Sequence, residues 1–97
     1  MPSIRKVKDA TVDGEEGFII TWEMMGFSKQ GAQFRAITST AMRFPTTIVS
    51  SKVTSVQEFG TDYFNVNVFV PTEGFMSAGI PSPREWLKEN FGDRLDL

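Results

Sequence analysis

Apolar and polar residues alternate through most of the first seventy positions, the period expected of strands whose successive side chains face opposite ways. Ile4 to Val12 is a charged first candidate, with Ile4, Val7 and Val12 as its apolar positions. Asp13-Gly14-Glu15-Glu16-Gly17 supplies turn chemistry, since glycine takes positive φ freely and Asp can close an Asx turn. A second strand is expected over 18–27, with Phe18, Ile20, Trp22 and Met24 on one face and Ile19, Thr21, Glu23 and Met25 on the other. Apolar residues on both faces point to a strand that is central or covered twice.

After the turn residues Ser28-Lys29-Gln30-Gly31, the alternation predicts a third strand over 33–44. Phe34, Ala36, Thr38, Thr40 and Met42 would share one side, with Arg35, Ile37, Ser39, Ala41 and Arg43 opposite. Pro45 cannot donate to a ladder, so the strand should stop or bend there. The β-branched stretch 46–59 reads as a fourth strand. Its parity slips between Val49 and Val56, which suggests a bulge or break near Ser50-Ser51-Lys52. Gly60-Thr61-Asp62 turns the chain into 63–70, the cleanest alternation in the sequence, with Phe64, Val66, Val68 and Val70 on one side. Two strand patterns around so short a turn signal a hairpin.

From 71 to 81 two prolines and two glycines indicate a loop. Helix chemistry follows. Ser82-Pro83-Arg84-Glu85 has the form of a capping box, with Pro at the first helical position. Trp86, Leu87 and Phe91 form an apolar stripe, and Gly92 is a natural stop, giving a helix over 83–91. The expected fold is α+β: a small antiparallel β-meander of four or five strands, barrel- or sandwich-like, with one C-terminal helix, forming a single domain over 1–97.

Composition narrows the chemistry. The 97 residues contain neither Cys nor His, which removes the thiolate nucleophile, the imidazole base and the commonest zinc ligands. Adjacent Ser-Lys pairs at 28–29 and 51–52 would point to opposite faces of a strand and form no dyad. The acids at Asp9, Asp13, Glu15 and Glu16 cluster around a turn without the spacing of a calcium loop. No phosphate-binding glycine motif is present. The expectation is a protein that is not an enzyme and uses no metal or cofactor. The basic start, Met-Pro-Ser-Ile-Arg-Lys-Val-Lys, leads into no apolar run, and no hydrophobic stretch exceeds three residues. A soluble protein of the cytoplasm, including a viral protein in its host's cytoplasm, is therefore expected, with no membrane partner.

Two features rise above that background. Ten Lys and Arg stand against twelve Asp and Glu, a net charge of −2, yet no acid lies between Glu23 and Glu58 while Lys29, Arg35, Arg43 and Lys52 do. On a strand, Arg35 and Arg43 would share a face roughly 26 Å apart. That face is either a solvated sheet surface or a docking surface for an acidic protein or a nucleic-acid backbone. The second feature is the apolar content of 71–81, where Phe75, Met76 and Ile80 either cover one end of the core or meet a partner. The functional expectation is a non-enzymatic protein-interaction or assembly module acting through its surface, as an inhibitor-like binder or a subunit of a homo-oligomer or particle. Candidate contact residues are Arg35, Arg43, Lys52, Phe75 and Met76. The alternative is a nucleic-acid-binding β-domain using the basic 29–52 segment.

Overall fold

Asp13 and Gly14 both take positive φ, 52° and 81°. They form a two-residue turn of the hand that matches strand twist, joining β1 (Ser3–Val12) to β2 (Glu15–Met25) with Val12 opposite Glu15. The second hairpin, β3 (Lys52–Phe59) and β4 (Tyr63–Pro71), turns at residues 60–62. The computed structural model describes residues 2–26, 28–47 and 50–96. Phe27, expected to close the second strand, and Ile48 and Val49, expected in the fourth, lie outside the described residues.

The two hairpins join through β2 and β4, whose inward residues face each other in register: Phe18 with Val70, Ile20 with Val68, Trp22 with Val66 and Met24 with Phe64. The sheet order is β3-β4-β2-β1-β5, where β5 is a two-residue strand (Leu95–Asp96) parallel to β1. This is an open, mixed sheet with β3 and β5 at its edges, not a barrel or sandwich. The α+β class, the antiparallel hairpins and the C-terminal helix stand as the sequence suggests.

The largest difference is α1 (Lys29–Arg43), a 15-residue helix where alternation predicts a strand over 33–44. Ser28 caps it, its hydroxyl accepting from the Gly31 amide at 3.0 Å. Ala32, Ala36 and Thr40, four residues apart, are its buried stripe. Being small, they let the helix lie close on the sheet. The Trp22 indole donates to the Thr40 hydroxyl at 2.8 Å, and that hydroxyl donates to the Ala36 carbonyl at 2.7 Å, so the buried polar atoms of these two side chains are paired.

The strand expected over 46–59 begins only at Lys52, after a turn in which the Ser51 amide bonds the Thr47 carbonyl. The register slips at Thr54, between Val53 and Ser55. The expected loop 71–81 contains a short helix, α2 (Thr72–Ser77), which seats Phe75 in the core. The helix α3 (Pro83–Phe91) has the predicted bounds, but Ser82 makes no side-chain cap bond, so the capping box is not formed. Gly92 has right-handed helical angles and leads into a 3-10 turn over Gly92–Arg94. One core fills the space between the sheet and the helices, with Phe18, Trp22, Phe44, Phe75, Leu87 and Phe91 among its large members. Among the described residues no helix covers the opposite face of the sheet: Tyr63, Asn65, Asn67 and Phe69 of β4 point there, away from the core residues that alternate with them.

Candidate functional site: the interaction surfaces

The basic segment does not form one surface. With 33–44 helical, Arg35 and Arg43 lie about 12 Å apart along the axis of α1. The Arg35 guanidinium donates to the Met25 carbonyl at 2.9 Å, holding the helix to the end of β2. The Arg43 guanidinium carbon sits 5.8 Å from the centroid of the Trp22 ring and 5.3 Å from that of Phe91, bridging three elements by cation–π contact. Lys52 stands on the edge strand β3, 3.9 Å from the Asp13 carboxylate. Three cations adjacent in sequence terms thus serve three different places.

The 71–81 pair divides too. Phe75 is 0% exposed, edge-on to Phe18 and to Trp86 at 5.5 Å each. It is a lid residue of the core and offers no side chain to a partner. Met76, next to it, is 55% exposed.

The most exposed apolar side chains among the described residues of a helix lie on α1, at positions the sequence reading assigns to a strand. Phe34 is 64% and Met42 85% exposed, and Thr38 between them is half-buried, as are the neighbouring Ile37 and Ala41. Phe34, Thr38 and Met42 are spaced i, i+4, i+8, one ridge of a helix surface, and Ile37 and Ala41 lie beside it. Thr38 is two residues from both Ala36 and Thr40, about 160° round the helix from each. The ridge therefore points away from the sheet. The Thr38 hydroxyl bonds back to the carbonyls of Phe34 (3.0 Å) and Arg35 (3.1 Å), so this ridge carries no charged group and no hydroxyl in need of water. The helix-start signal at Ser28 and the i, i+4 spacing of the small residues were the clues to it in the sequence.

A second patch lies on the uncovered sheet face, where Phe59, Tyr63 and Met25, all exposed, face one another across β3, β4 and β2. The Phe59 and Tyr63 rings meet edge-on at 6.4 Å. Beyond them the face is polar: Thr21 donates to Asn67 at 2.5 Å, and Asn67 donates to Ser55 at 2.7 Å. The Tyr63 hydroxyl donates to the Glu23 carboxylate, which raises the phenol's pKa above the ordinary 10.0. Cations around this face have carboxylate neighbours: Arg5 with Glu23 at 3.8 Å, Lys6 with Asp96 at 3.2 Å and Lys52 with Asp13.

An open hollow of about 510 Å³ lies beside the start of α3, between Asp9, Glu16, Thr72, Ser82 and Arg84. Its one cation, Arg84, is held by Asp9 at 2.6 Å. Among the described residues no group of three or more acids is placed to hold a metal ion, and no helix is long and apolar enough to cross a membrane. No protein-family model, no curated protein and no solved structure matches the chain.

Proposed function

We propose that this protein is a non-enzymatic protein-interaction or assembly module that docks through the outward face of α1. One observation carries the reading: α1 is apolar on two opposite sides, and only the Ala32–Ala36–Thr40 side is buried in the fold. The exposed Phe34 and Met42 flank the half-buried, uncharged Ile37, Thr38 and Ala41, with Arg35 bordering the ridge; aromatic residues and Met are the types enriched in interface cores. The nucleic-acid alternative has less support. Arg35 is engaged with backbone, Arg43 with two rings and Lys52 with Asp13, so this set offers few free cations to exchange for phosphate counterions.

The test is site-specific photo-crosslinking. A benzophenone amino acid replaces Phe34 in one variant and Glu16, an exposed residue near the start of β2, in a second. In cell lysate the Phe34 label should form protein adducts well above those of the Glu16 label. Equal yields from the two positions would refute the reading.

A further inference from the structure

We draw no further inference here: the strongest candidate, the buried Asn65 Oδ1 that finds no hydrogen-bond partner among the described residues of the open sheet face, is a lone acceptor and nothing in the structure shows what covers it.

Discussion

Thr40 stands at the point where sequence reading and structure part company. As a strand residue it would be one more β-branched position. In α1 it is the only hydroxyl among the buried residues of the helix, and it accepts the Trp22 indole proton. Thr40→Val keeps the shape but strands that N–H in the core, which should cost about 1–3 kcal/mol in chemical denaturation. A variant as stable as the parent would mean that the indole finds another acceptor. Tyr63 offers a second measurement at this scale. Its pKa is raised first by the hydrogen bond to Glu23, then by lost hydration and by the Glu23 charge, with Arg5 opposing. The contact therefore contributes its stability below pH 10.0, and that contribution disappears as pH rises through the higher folded value. In Glu23→Gln, the phenolate absorbance should titrate at lower pH than in the parent. An unmoved midpoint would show that Glu23 does not hold the proton in solution.

Elements were legible in the sequence where large apolar residues kept the period and hidden where small ones did the packing. The Phe18–Met24 and Phe64–Val70 alternations are visible because each inward position is bulky; β4 sits where expected, while β2 starts three residues early, at Glu15 within the expected turn. Helix α1 was obscured because its buried stripe is Ala, Ala and Thr, which weigh little in any hydrophobic pattern, while its large residues Phe34 and Met42 face outward. Phe34, Thr38 and Met42 also satisfy a two-residue period, so the same letters support a strand. The misplaced arginine face follows from that single substitution of period, and so does the failure to see the exposed ridge. Phe75 was hidden differently: six residues of helix between prolines look like loop, and only tertiary packing decides which way the ring turns. At α3 the pattern gave the bounds but the wrong reason for them. Since the Ser82 side chain makes no cap bond, Ser82→Ala should shift stability by no more than about 0.5 kcal/mol. Leu87→Ala, which empties a fully buried site, should cost about 2–5 kcal/mol in the same thermal melts. A large loss in Ser82→Ala would restore the capping box as the feature that starts the helix.

At the scale of the whole molecule, one layer of helices on one sheet leaves the other sheet face and both edges without a covering layer among the described residues. On the open face the fold sets the Thr21–Asn67–Ser55 polar chain rather than a second core, and the buried Asn65 Oδ1 there has no hydrogen-bond partner. The fold also closes the gap over Gly17 with the Phe69 ring, which a Cβ at Gly17 would approach to 2.7 Å. At the β3 edge, the Thr54 slip and the flanking Lys52 and Glu58 are devices that discourage pairing with another strand. A partner docked on α1 would leave that edge bare. Backbone hydrogen exchange distinguishes these surfaces, because protection follows burial and pairing. Amides of β2 and β4, each paired on both sides, should exchange only on global unfolding. The outward amides of β3 should exchange far faster, at rates that do not change with protein concentration. Exposed amides at the first turn of α1, around Lys29 and Gln30, should slow as a partner is added, or as concentration rises where the partner is another copy, since docking on α1 would damp fraying of that helix. If instead β3 gains protection with concentration and α1 does not, copies associate by extending the sheet, and the edge strand replaces the helix ridge as the surface where this protein meets its partner.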